Sequence, residues 1–105
     1  MDIYVDIDNT ITITRTTDYT KAIPLSKRIQ RINKLYEKGH KITYWTARGS
    51  VSKVDYYEFT VEQLKSWGCV FHDLIVGYRE GNLCHSTKPH FDMVIDDKAK
   101  RIEEI

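Results

Sequence analysis

The chain has 105 residues, 41% of them hydrophobic and 30% charged, with a formal net charge of +1. That is the balance of a folded soluble domain and excludes a disordered tail or a membrane bundle; the length fits one domain, residues 1–105, and not two. A charge so near zero gives no long-range pull toward nucleic acid, and two cysteines, Cys69 and Cys84, are too few for a disulfide framework.

No apolar run approaches the roughly 20 residues a spanning helix needs, and no basic-then-apolar leader precedes the first apolar segment. A cytoplasmic protein without membrane contact is expected. In chain order, residues 1–7 read as a buried strand. Residues 9–19 (NTITITRTTDY) alternate threonine with isoleucine, which predicts a small β-hairpin or flap. Pro24 is expected to open a helix, with Ser26 an alternative cap. Leu25, Ile29, Ile32, Leu35 and Tyr36 recur at helical spacing until Gly39 stops them. Residues 41–45 (KITYW) form a second strand, residues 51–67 a second helix ending at Gly68, and residues 74–76 a third strand. Residues 78–90 read as a loop, residues 91–95 as a fourth strand, and a terminal helix is expected from Asp97 or Lys98. This alternation predicts an α/β fold, a mainly parallel sheet with helices on both faces.

In a parallel sheet the strand ends meet on one edge, where such folds bind ligands. Three strand ends carry chemistry. The first carries Asp6 and Asp8, which share a face because alternate strand residues point the same way. The second carries Thr46, Ala47 and Arg48, and the fourth carries Asp96 and Asp97, with Lys88 shortly before it. Four converging carboxylates repel one another, and a cation resolves the conflict. Oxygen-only donors select a hard ion, and Mg²⁺ typically takes one or two carboxylates plus a substrate phosphate. A carboxylate nucleophile, a second carboxylate as acid–base, a hydroxyl and an ammonium are enough for phosphoryl transfer, which needs positioning and charge stabilisation above all.

Each residue also has a structural use. Asp8 and Asn9 suit a turn, Thr46 can start one, and Asp96-Asp97 can cap a helix. Arg48 can grip a substrate anion or form a structural ion pair. Tyr56, Tyr57 and Phe59 read as helix packing rather than a stacking platform. Cys69, His72, Cys84 and His85 raise zinc, but the adjacent second pair is poor for a tetrahedral site.

The order of the motifs resembles the haloacid dehalogenase (HAD) superfamily of phosphatases. Asp6-x-Asp8-x-Thr10 is similar to its first motif, Thr46 to its second, Lys88 to its third and Asp96-Asp97 to its fourth. More narrowly, DIDNTI, A-x-P, GHKITYWTARGS, QL-x-x-WG and KPHFDMVIDDKA resemble short HAD phosphatases associated with capsule and other polysaccharide biosynthesis. The resemblance implies a three-layer Rossmann-like fold with a β-flap after the first strand and no cap domain. It also implies roles. Asp6 would attack phosphorus and carry an aspartyl-phosphate. Asp8 would serve as acid–base and bind Mg²⁺ through its carbonyl, while Thr10 would shape the Asp8 loop. Thr46 and the Ala47 amide would bind phosphate, Lys88 would orient Asp6 and stabilise the phosphoryl group, and Asp96 would complete the metal shell, with Asp97 either a direct ligand or a support behind the ligands. The chain departs from the pattern before Lys88: residues 78–86 intervene and Thr87 replaces a glycine, which bears on the pocket and on whether this loop acts as a lid.

The function expected is a Mg²⁺-dependent phosphomonoesterase acting on a small phosphorylated metabolite such as a sugar phosphate. Without a cap, a homo-oligomer is a natural cover for the open site. The alternatives are a polynucleotide 3′-phosphatase or phosphoprotein phosphatase of the same fold and, from another class, a non-catalytic phosphate-binding or interaction module.

Overall fold

The structure, a computed structural model, describes residues 1–79 and 93–95. Four strands form one parallel sheet: β1 (Asp2–Asp6), β4 (Lys41–Trp45), β5 (Asp73–Ile75) and β6 (Met93–Ile95), in the order β5-β4-β1-β6. Two further strands, β2 (Thr12–Ile13) and β3 (Ile23–Pro24), pair antiparallel as a separate ribbon. They bracket a short 3-10 turn, Tyr19–Lys21. Two helices, α1 (Ser26–Glu37) and α2 (Tyr57–Ser66), link the strands.

Alternation along β1 explains its place in the centre. Ile3, Val5 and Ile7 are almost fully buried, whereas Tyr4 and Asp6 on the opposite face are half-buried. Ile29 and Ile32 of α1 and Leu64 of α2 join the same core, with Ile42, Tyr44, Leu74, Val76 and Ile95. Each such aliphatic side chain contributes about 1.5–3 kcal/mol when fully buried. The crossovers from β1 to β4 and from β4 to β5 move the same way across the sheet. Right-handed connections therefore carry α1 and α2 over one face, and Asn33 of α1 bridges to the end of α2 through Gly68 O (2.9 Å) and Val70 N (3.1 Å). The helix expected on the other face falls beyond Ile95, outside the described residues.

Both helices end alike. Gly39 (φ 96°) and Gly68 (φ 79°) take the left-handed conformation, and the next amide reaches back to the last turn, His40 N to Leu35 O and Cys69 N to Leu64 O. This is the Schellman closure, which a side chain at the glycine would strain.

Two expectations need correction. Pro24 does not open α1; it ends β3, paired with Thr12, and Leu25 precedes the helix with no side-chain cap bond. A proline fits the edge of a two-residue ribbon because it has no amide hydrogen to donate to a ladder. The second helix does not start at Val51. Residues 51–56 are loop, Val51 is 93% exposed, and α2 begins at Tyr57, whose amide donates to Asp55 Oδ1 at 2.9 Å.

Candidate active site

The sheet order places a topological switch between β1 and β6: the crossovers from β1 and β4 go one way, while β6 lies on the other side of β1. Ligands of open α/β sheets bind outside the strand ends at such a point. A cavity of about 710 Å³ opens on the same edge of the sheet, beside the ends of β1 and β4, lined among others by Asp6, Asp8, Thr46, Ala47 and Arg48.

Asp6 is the last residue of β1, paired with Trp45. Its Oδ1 accepts from the amide of Ile7 at 3.1 Å, which fixes the carboxyl at the strand tip. The chain then turns sharply: Thr10 and Ile11 amides both return to Ile7 O (3.1 and 3.0 Å), and Asn9 takes φ 65°. Asparagine tolerates that conformation better than most residues. Thr10 is 3% exposed, and its carbonyl accepts from Arg28 Nη1 at 3.0 Å. Its amide is one of the two that close the turn bearing Asp8.

Asp8 is surrounded by donors. Its Oδ1 accepts from Arg48 Nη2 (2.8 Å) and Thr14 Oγ1 (2.9 Å). Its Oδ2 accepts from Arg48 Nε (3.0 Å) and Thr46 Oγ1 (3.2 Å). Four donors fill about the four acceptor positions a carboxylate offers. Of the two uses open to Arg48 in the sequence, the structure contains the ion pair with Asp8. The Arg48 side chain is 0% exposed, its Nη1 donates to Gln63 Oε1 (2.7 Å) and Thr60 Oγ1 (3.3 Å), and its face lies 4.4 Å from the Tyr19 ring centroid. Thr46, expected to donate to a phosphoryl oxygen, here donates a hydrogen bond to Asp8 Oδ2 and accepts one from Arg48 N.

The turn after β4 is held against the next strand end. Thr46 N donates to Ile75 O, Gly77 N to Arg48 O and Ser50 N to Ala47 O. The amides of Thr46, Arg48 and Ser50 are therefore engaged, and Ala47 stands exposed at the cavity edge. Gly77 permits this contact, since a Cβ there would collide with the Ala47 carbonyl.

Several cavity residues carried no functional reading in the sequence. Tyr56 and Tyr19 line it, with ring centroids 5.1 Å apart and nearly perpendicular. Burial first, and then the nearby Asp8 carboxylate, push the Tyr19 phenol above its ordinary value, and Arg48 pulls the other way. Trp45, Ser50, Val51 and Ser52 complete much of the wall. The loop after β4 was the available signal for Tyr56: residues following a strand end belong to the rim, and extending the helix back to Val51 hid them.

Lys88, Asp96 and Asp97 lie outside the described residues. So do Cys84 and His85 of the zinc alternative, while Cys69 is buried in the core and His72 stacks on Tyr36 and accepts from Ile42 N. No cluster of three metal-ligating side chains occurs among the described residues. The donors present still fit a hard ion. Asp6 and the Asp8 loop offer only oxygen, and two carboxylates against the single guanidinium of Arg48 leave the described lining one negative charge in excess. A phosphate dianion would be repelled there unless a cation intervened.

No protein-family model matches the chain, and no curated protein matches it. Two solved structures share its fold. A protein from Vibrio cholerae superposes with a TM-score of 0.70 at 22% identity, over 98% of this chain and 85% of its own. A conserved protein from Bacteroides thetaiotaomicron gives 0.66 at 24% identity, over 93% of this chain and 76% of its own. At these identities the likeness concerns the fold alone.

Proposed function

We propose that the protein is a capless HAD-type phosphatase, a Mg²⁺-dependent phosphomonoesterase acting on a small phosphorylated metabolite such as a sugar phosphate of polysaccharide biosynthesis. The observation that carries the reading is the pairing of Asp6 and Asp8 at one cavity, on the end of the central strand and at the switch point of the sheet. Ile95, at the end of β6, pairs with Val5, so β6 runs toward the edge where Asp6 stands. Asp96 and Asp97 follow it in sequence.

In this reading an Asp6 oxygen forms a bond to phosphorus while the ester P–O bond breaks. The Arg48 fork and the Thr14 and Thr46 hydroxyls occupy both Asp8 oxygens in the resting site; in the proposed step a hydroxyl yields its place to the leaving oxygen, and Asp8, entering the step protonated, gives its proton to it. Water then attacks the aspartyl-phosphate, Asp8 takes the water proton, and phosphate and free Asp6 are regenerated. Ala47 offers an amide to the phosphoryl oxygens, and Lys88 offsets the charge on Asp6. Mg²⁺, held by the Asp6 carboxylate, the Asp8 carbonyl and Asp96 with Asp97, would supply charge neutralisation on the transferring group. The three-layer Rossmann-like arrangement would be completed by the terminal helix. The β2–β3 ribbon would serve as the flap, and a second subunit could close the open site. A cytoplasmic location is part of this proposal. No helix among the described residues is long and apolar enough to cross a membrane.

A panel of sugar phosphates, nucleotides, 3′-phosphorylated oligonucleotides and phosphopeptides tests the assignment. Phosphate release from sugar phosphates with Mg²⁺, lost with chelator, supports it. Preference for the oligonucleotide or phosphopeptide moves it to the alternatives of the same fold. Tight phosphate binding without turnover would leave only a binding module.

A further inference from the structure

Gln63 sits in α2, away from the strand ends that carry the carboxylates, yet it joins two parts of the site. Its Oε1 accepts from Arg48 Nη1 at 2.7 Å, and its Nε2 donates to the carbonyl of Tyr19, also at 2.7 Å. These partners fix the orientation of the amide, because a guanidinium only donates and a carbonyl only accepts. Arg48 in turn holds both oxygens of Asp8 through Nε and Nη2. A planar fork fixes direction as well as distance, so whatever holds the third nitrogen also holds the carboxylate. Without Gln63, Nη1 keeps only the 3.3 Å bond to Thr60. The same loss leaves the Tyr19 carbonyl with the Ala22 amide at 3.2 Å and no link to α2 through Gln63, and the Tyr19 ring is the face on which the guanidinium rests.

We propose that Gln63 is a positioning residue that locks the Arg48 guanidinium, and through it the Asp8 carboxylate, to the segment bearing Tyr19. The proposal rests on the phosphatase reading, with Asp8 as proton donor to the leaving group. It makes Asp8 geometry depend on a helix whose own residues do not line the cavity.

Leaving-group dependence separates positioning from mere support of the fold. An alkyl phosphate leaves as a strongly basic alkoxide and needs the proton, whereas p-nitrophenolate leaves without one. For both esters kcat/KM reports steps up to enzyme phosphorylation and is blind to the later hydrolysis. With Gln63→Leu, kcat/KM for an alkyl phosphate should fall about tenfold, part of the hundredfold or more a positioned acid contributes, while p-nitrophenyl phosphate changes by less than about twofold. Equal losses on the two esters would reduce Gln63 to a structural residue, and no loss on either would remove the role altogether. If Gln63→Leu does not fold, Gln63→Met keeps the length of the side chain while removing both the bond to Arg48 and the bond to Tyr19 O. The same ester-selective loss is then expected, and its absence overturns the proposal. A wild-type protein inert toward both esters would instead bring down the phosphatase reading, and the role of Gln63 with it.

Discussion

Arg48 and Asp8, 40 residues apart in the chain, meet as a two-pronged ion pair, Nε to Oδ2 at 3.0 Å and Nη2 to Oδ1 at 2.8 Å. The pair ties the end of β4 to the turn after β1. Its cost is desolvation of a guanidinium that is 0% exposed, offset here by further bonds to Gln63 and Thr60 and by the Tyr19 ring.

Removing one partner should therefore be expensive. Arg48→Met would leave the Asp8 carboxylate without its main partner, and Asp8 keeps 23% side-chain exposure. We expect a loss of about 3 kcal/mol, the low end for breaking a buried pair, because water can reach the orphaned carboxylate. Urea denaturation measures it. Arg48→Lys should recover little, since a point charge cannot supply the fork.

Gly77 is where the backbone of the 46–50 turn comes closest to the strand after it. Gly77→Ala would push against the Ala47 carbonyl and Ser50 Cβ. A loss of about 1–3 kcal/mol is expected, the range for overpacking, with a larger fractional fall in phosphate release than the unfolded fraction accounts for. Parallel denaturation and activity measurements separate the two.

Burial pushes the Cys69 thiol up from about 9 to about 11. The folded state then keeps the proton that the unfolded state gives up, so stability should be full below pH 9 and decline as pH rises from about 9 to about 11. Tyr44, raised well above its ordinary value by burial, drives the same trend at higher pH. At pH 8 a maleimide or iodoacetamide, followed by peptide mass mapping, should modify Cys69 only after unfolding, because the thiolate is the reactive species.

The parts of the fold legible in the sequence were those with local patterns. KITYW matches β4 residue for residue, and the alternation in residues 3–7 gave β1 its buried face. Only β2 of the ribbon falls within the threonine–isoleucine alternation of residues 9–19 read as a flap; its partner at Ile23–Pro24 did not show, because a proline before a helical pattern reads equally as a helix start. The second helix was overextended because Val51 and Val54 are apolar at helical positions, although they are 93% and 44% exposed. At the site, Asp6 and Asp8 were legible from spacing alone. The choice of Arg48 to bind Asp8, the Thr14 hydroxyl beside it and the bridge through Gln63 were not, since each depends on side chains brought together from distant elements.

The role of Asp6 as nucleophile of a phosphatase is tested by comparing wild type with Asp6→Asn for phosphate release from a sugar phosphate in the presence of Mg²⁺. The wild type should turn over, and Asp6→Asn, with an unchanged circular dichroism spectrum, should release none. Near-normal release by the folded variant would contradict the assignment of Asp6, and a metal-loaded wild type that leaves every phosphoester in the panel intact would contradict the enzymatic account as a whole.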